Sequence, residues 1–203
     1  GFGKVGVYGI SKGGELALLA ASLIPAVSCA VALSPLDYVM PGITGNGGLA
    51  SKGVSGRSSW TWRGNPLPCV PGGTRMPYAG IVRRLLAERQ LDMRFFYERM
   101  LEGATEGSAI KVERIGGPVM LVCPERDAMW PSDDAARRIE ERLRAHGHPW
   151  EVERLAYKHA SHIMVPLETG ALKLFREERE HPRECAASRL DAFKRTLAFL
   201  ERW

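Results

Sequence analysis

Two periodicities alternate along the chain. Apolar runs at residues 4–8, 26–33 and 119–123, and an alternating stretch at 150–155, have the composition of strands. Between and after them, residues 15–23, 79–101, 132–146 and 187–202 carry helical patterns. Strands separated by helices predict an α/β fold with a parallel sheet. Within 132–146, Ile139 and Leu143 face inward, while Arg137, Arg138, Glu140, Glu141, Arg142 and Arg144 face out. Residues 187–202 place Leu190, Phe193, Leu197 and Leu200 on one face, predicted to be the packed one. In 79–101 the apolar positions are Ile81, Leu85, Leu86, Phe95, Phe96 and Met100. Residues 16–33 are almost uncharged, long enough to raise a membrane span. Pro25 divides them, two serines interrupt them, and 26–33 reads as a strand, so a buried helix followed by a buried strand is expected.

The stretch 40–78 breaks the alternation. It is crowded with Gly, Pro and Ser and carries Trp60, Trp62 and Tyr78, the composition of a binding loop or lid. We read 40–110 as a lid-like insertion in one domain spanning 1–203.

Composition narrows the class. With 203 residues, 45% hydrophobic and 25% charged, intrinsic disorder and multi-span membrane folds are excluded. The 28 basic and 23 acidic residues leave a net charge of +5, spread without a Lys/Arg run or a nucleic-acid motif. Neither nucleic acid nor a membrane is therefore expected as a partner. Cys29, Cys69, Cys123 and Cys185 lack metal-ligand or CxxC spacing and read as reduced thiols. No secretory leader is visible, and a cytoplasmic location is expected.

The chemistry gathers at strand ends. Gly9-Ile10-Ser11-Lys12-Gly13 matches G-x-S-x-G, the strand-to-helix turn that exposes a serine nucleophile at the top of a sheet. The pentapeptide alone is a weak signal in a chain with 22 glycines. A strand pattern directly before it and a helical pattern directly after it narrow the reading, against a serine that merely caps a helix. Glycines at 9 and 13 are expected to let the backbone pass closely. The backbone N–H of Lys12, just after the nucleophile, is the expected oxyanion donor, and its side chain reads most simply as solvated.

A serine nucleophile needs a base, and the base needs an orienting carboxylate. Asp127 follows the 119–123 strand by a short turn. Glu125 shares its loop but sits close to the strand end, and Asp133 and Asp134 suit the first turn of the next helix. After the 150–155 strand come two candidate bases, His159 and His162. His146 and His148 lie at a helix end, and His181 reads as a surface residue in a charged loop. Trp60, Trp62 and Trp130 are candidate walls of a substrate channel, or aromatics that cover core beneath the long loop.

These segments resemble a known family, the C-terminal domain of the acyl-CoA thioesterases and bile acid-CoA:amino acid N-acyltransferases. The resemblance rests on Ser11-Lys12-Gly13-Gly14-Glu15-Leu16 in the elbow and on 62–68 (Trp-Arg-Gly-Asn-Pro-Leu-Pro). It also rests on Asp127-Ala128-Met129-Trp130-Pro131-Ser132 and on Ser161-His162 ahead of Pro166. It implies an α/β-hydrolase-type parallel sheet flanked by helices, with Ser11 as nucleophile, Asp127 as acid and His162 as base. It implies a small acyl thioester as substrate and no cofactor or metal. Thioesterase members carry serine at the elbow where amino-acid-conjugating members carry cysteine, so Ser11 points to hydrolysis. An oxygen-ester hydrolase of carboxylesterase or dienelactone type, acyl transfer to an amino acid and a catalytically silent domain are the alternatives. Relatives have strands before the elbow, and this chain opens there. We therefore expect a sheet lacking its first strands, an oxyanion hole lacking its second donor, and an open edge at 5–8 covered by an upstream segment or a second copy.

Overall fold

In the computed structural model, residues 3–44, 53–72 and 77–203 are described. The chain runs β1 (Val5–Ile10), α1 (Lys12–Leu23), β2 (Val27–Leu33), β3 (Pro41–Thr44), β4 (Gly53–Ser58), β5 (Thr61–Trp62) and β6 (Asn65–Pro66). It continues through α2 (Tyr78–Glu88), α3 (Arg94–Leu101), β7 (Val119–Pro124), α4 (Ser132–Ala145), β8 (Val152–Tyr157), α5 (Arg176–Glu180) and α6 (Pro182–Arg202). Four strands form a parallel sheet in the order β1-β2-β7-β8. This is the expected α/β architecture.

Parallel strands buried on both faces need near-continuous apolar sequence, and β2 and β7 supply it. The pleat sends alternate residues to opposite sides. Ala30, Ala32, Val119 and Leu121 pack with Leu18 and Leu19 of α1 and Ile139 and Leu143 of α4. Cys29, Val31, Leu33, Met120 and Val122 pack on the other side with Met164, Ala192 and Phe199. Register keeps the strand ends level, with Ile10 beside Leu33, Leu33 beside Val122, and Val122 beside Leu155. Whatever follows these residues emerges at one rim.

Several boundaries differ from the sequence reading. The first strand runs on to Ile10, and α1 begins at Lys12. The 79–101 pattern is two helices, interrupted where Arg89 takes a left-handed conformation (φ 51°) and restarted where the Asp92 carboxylate accepts a hydrogen bond from Arg94 N. Segment 40–78 holds two small antiparallel ladders, β3–β4 and β5–β6. Residues 45–52 and 73–76 of the anticipated lid lie outside the described residues.

The face of α6 is a correction. Its packed residues are Cys185, Arg189, Ala192, Thr196 and Phe199. Of the four residues expected inside, Leu190, Phe193 and Leu197 are 40–47% exposed, and Leu200 is partly buried against the sheet. The two stripes are offset by one residue, or about 100° around the helix. The inner one brings the small Ala192 against the sheet and holds an arginine paired to the buried Glu178.

The outer face of β1 stays open. Val5 and Tyr8 are nearly half exposed, and among the described residues no strand pairs with that edge. No helix among the described residues is long and apolar enough to cross a membrane.

Candidate active site

Ser11 sits between β1 and α1 with φ 57° and ψ −123°. A left-handed conformation at a non-glycine residue costs on the order of 1–3 kcal/mol and persists only where the surroundings enforce it. Here Ser11 N donates to Leu33 O at 2.8 Å, and its carbonyl accepts from Gly14 N and Glu15 N as α1 begins. Gly9 is obligatory, since a Cβ there would fall 2.1 Å from the Gly13 carbonyl oxygen. The second tight position is Gly14, where a Cβ would meet the Leu33 carbonyl oxygen at 3.0 Å. Gly13, expected with Gly9 to be a close position, faces open space.

Asp127 and His162 meet as the chain order predicts. His162 Nδ1 lies 2.8 Å from Asp127 Oδ2, and both side chains are buried. The carboxylate is held from two further directions, by Ser132 Oγ on Oδ2 at 2.6 Å and by Met129 N on Oδ1 at 2.9 Å. A carboxylate so fixed orients the imidazole ring. The His162 carbonyl accepts from Ser34 Oγ at 2.8 Å, and Ser34, at the end of β2, itself has φ 44°. Trp130 locks the arrangement. Its Nε1 donates to Ser34 O at 3.0 Å, and its ring meets the His162 ring edge-on with centroids 5.2 Å apart. In this state no hydrogen bond joins Ser11 Oγ to His162.

A cavity of about 390 Å³ opens at Ser11, with walls that include Met40, Trp60, Tyr97, Met100 and Trp130. Of the three tryptophans read as channel walls or as cover over the core, Trp60 and Trp130 line this cavity. Trp62 stands elsewhere. It lies in β5 with the Arg63 guanidinium over its ring and is not among the residues that line this cavity. A slightly larger cavity, about 420 Å³, lies at the opposite end of the sheet between Lys4, Gly117, Trp150 and Trp203. Among the described residues that line it there is no histidine.

The cavity wall depends on a buried acid that sequence reasoning passed over. Glu15 is fully buried in α1. One carboxylate oxygen pairs with Lys12 Nζ at 2.6 Å, and the other accepts from Trp60 Nε1 at 2.6 Å and Met40 N at 3.0 Å. The Lys12 side chain, expected in solvent, is thus part of a clamp and also lies over the Trp60 ring. Burial pushes the Glu15 carboxyl above its ordinary range, opposed by the Lys12 ammonium. The signal was present in 12–23, where Glu15 is the sole acid in an otherwise small and apolar helix.

Other histidines fall away from the cavity. His146 faces the Arg142 carbonyl, and His148 the Gly117 carbonyl. His159 pairs with Glu177 rather than with Asp127. His181 is half-buried against His159, not a free surface residue. Asp133 and Asp134 occupy the first turn of α4 as expected, and both bind the Arg94 guanidinium, tying α3 to α4. The four thiols are free, and burial lifts Cys29 to about 11 and Cys123 and Cys185 to about 12, far from a reactive thiolate.

Residues 75–202 match the family described as BAAT / Acyl-CoA thioester hydrolase C terminal. The chain belongs to this family. The matched interval contains Asp127, Trp130 and His162, whereas Ser11, Glu15 and Trp60 lie ahead of it. Human acyl-coenzyme A thioesterase 1 is 30% identical over 168 residues, covering 80% of this chain and 33% of that protein. Human mitochondrial acyl-coenzyme A thioesterase 2 is 29% identical over 168 residues, covering 80% of this chain and 29% of that protein. The chain thus spans about a third of the length of these relatives. Among solved structures, the acylaminoacyl peptidase of Pyrococcus horikoshii superposes with a TM-score of 0.49 at 16% identity, over 98% of this chain and 24% of that one.

Proposed function

We propose that this family member hydrolyses acyl-CoA thioesters through Ser11, Asp127 and His162. Membership of a thioester hydrolase family supports the substrate class. The observation that carries the mechanism is the buried Asp127–His162 pair at the same rim as a serine on a positive-φ turn.

The imidazole takes the Ser11 hydroxyl proton as Oγ attacks the thioester carbonyl. Asp127 holds the imidazole in the tautomer that leaves Nε2 free to do so. The Ser11–His162 hydrogen bond forms as substrate enters, as is common for sites whose catalytic contacts tighten only in the complex. The tetrahedral oxyanion accepts from the Lys12 N–H in the first turn of α1, where the helix N-terminus favours negative charge. Collapse breaks the C–S bond, and the imidazolium proton goes to the departing thiolate. Water then gives a proton to His162 and attacks the acyl-serine, releasing the acid and restoring Ser11. The apolar walls at Met40, Met100 and Trp130 take the acyl chain.

The test follows free thiol released from an acyl-CoA, with fluorophosphonate labelling in parallel. Thiol release together with a labelled Ser11 supports the reading. Absence of both overturns it, and turnover of p-nitrophenyl esters alone moves the substrate to oxygen esters.

A further inference from the structure

A second group of polar side chains stands on the loop that bears His162, away from the Ser11 cavity. His159 Nδ1 lies 2.6 Å from Glu177 Oε1. The His159 and His181 rings lie with centroids 4.4 Å apart and planes at 46°. One ligand atom from each of His159, Glu177 and His181 falls within 4.8 Å of the others. Glu177 lies in α5, and His181 N donates to the Glu177 carbonyl at 2.8 Å. This four-residue spacing brings the two side chains to one face. All three are half-buried.

The chemistry of this set is specific. Two imidazole nitrogens and a carboxylate oxygen form the donor set that holds zinc and its neighbours in the transition series. Ligands on a tetrahedral zinc, with bonds of about 2.0–2.1 Å, stand roughly 3.3 Å apart. That separation falls between the 2.6 Å His159–Glu177 contact and the 4.8 Å bound on the whole set. Modest rotations of the three side chains bring their ligand atoms to that separation, with an ion in place of the His159–Glu177 contact. A purely structural role for the cluster is already served next door. Ser161 Oγ donates to Glu178 at 2.6 Å, and Glu178 forms a buried pair with Arg189, which fastens this loop to α5 and α6. That link leaves the paired imidazoles unexplained, since no hydrogen bond reaches the His181 ring among the described residues.

We propose that His159, Glu177 and His181 bind one divalent cation of the zinc type, with water completing its shell, and that the ion stiffens the loop that presents His162. In sequence the ligands are 18 and 4 residues apart, a spacing that hides the site from a motif search.

The experiment titrates the chelator-treated 203-residue chain with Zn(II), and separately with Co(II). Expected results are one ion per chain, a visible Co(II) absorption band of tetrahedral type that Zn(II) displaces, and a higher melting temperature. At a Zn(II) concentration a hundred times Kd the rise is roughly 5–10 °C for a chain of this size. Loss of an outer-sphere contact already weakens metal binding about 10–100-fold, so His159→Gln and His181→Gln each weaken it by more than about a hundredfold. His146→Gln, remote from the cluster, leaves affinity unchanged. Failure to bind one equivalent overturns the proposal, as does equal affinity in either ligand variant with an unchanged far-UV spectrum. If His159→Gln fails to fold, the half-exposed His181 decides alone. None of these readouts involves thioester hydrolysis, so the site stands or falls separately from the proposed activity.

Discussion

The floor and the cover of the Ser11 cavity are built on different terms. The floor is the rim of a sheet whose inner strands are buried on both faces, and Ser11, Ser34, Asp127 and His162 all leave that rim. The cover comes from the described residues of 40–101, where α2 contributes no buried residue and α3 contributes Phe96 and Met100. The cover is held by a small apolar cluster of its own, Met40, Val70, Phe96 and Met100 against Leu36 and Trp130, and by a few polar links: Glu15 to Trp60 and Met40, and Arg94 to Asp133 and Asp134. The rim that carries Ser11, Asp127 and His162 is thus set by the main core, whereas the cavity wall rests on a smaller apolar cluster and, at Trp60 and Met40, on hydrogen bonds to Glu15. A perturbation of the floor is therefore expected to change rate or folding, and one of the cover to change substrate binding.

The largest separation of the two comes from Ser11→Ala. Turnover should fall by about 10³–10⁴-fold or more while the melting temperature holds or rises, because the smaller side chain removes the nucleophile without touching the core. Equal loss of folding and activity would place Ser11 in the scaffold. Next is Leu121→Ala in the middle of β7. Leu121 is fully buried, and its truncation should cost about 2–5 kcal/mol in chemical denaturation. A loss under 1 kcal/mol would mean that the floor is loosely packed and that the comparison fails.

The link between floor and cover is broken by Glu15→Gln. The amide keeps an acceptor for Trp60 and Met40 but loses the ion pair to Lys12. KM for acyl-CoA should rise several-fold with kcat nearly unchanged, because the wall moves and the nucleophile does not. The variant also reads the titration of the buried acid. Burial raises the folded-state pKa of Glu15 above its unfolded value of 4.5, so the folded state binds more protons just above that pH. Its contribution to stability is full below pH 4.5 and is lost as pH rises through the folded pKa. Stability of Glu15→Gln relative to the parent should consequently improve as pH climbs from 4.5 toward neutrality. Melting curves across that range check it, and a flat difference would remove Glu15 from the account.

The same division governs what was legible in the sequence. Ser11, Asp127 and His162 could be placed because each follows a strand, and a level parallel register delivers strand ends to one rim. Ser34 gave no sign, since its role comes from a left-handed turn that nothing local announces. The face of α6 differs from the periodicity because large side chains dominate such an argument, while the buried stripe brings the small Ala192, with Phe199, against the sheet. Trp62 was drawn in by composition alone. A ring in a two-residue strand is aimed by its hairpin, and no count of aromatics reports that direction. Glu15 was visible as a lone acid, yet its partners Trp60 and Met40 lie 45 and 25 residues away, beyond any local pattern.

The smallest expected effect tests the cover at its outermost point. Leu86 in α2 is 77% exposed, the most exposed large apolar side chain of that helix. Replacing it with serine removes little buried area, and exposed substitutions away from caps and networks usually fall within about 0.5 kcal/mol. Leu86→Ser should therefore leave both denaturation and KM unchanged, in contrast to Glu15→Gln in α1 beneath the same cover. A loss well above 1 kcal/mol would show α2 to be packed in solution. The apolar burial of the cover would then extend from α3 to α2, and the distinction between the two would have to be drawn at Glu15 alone.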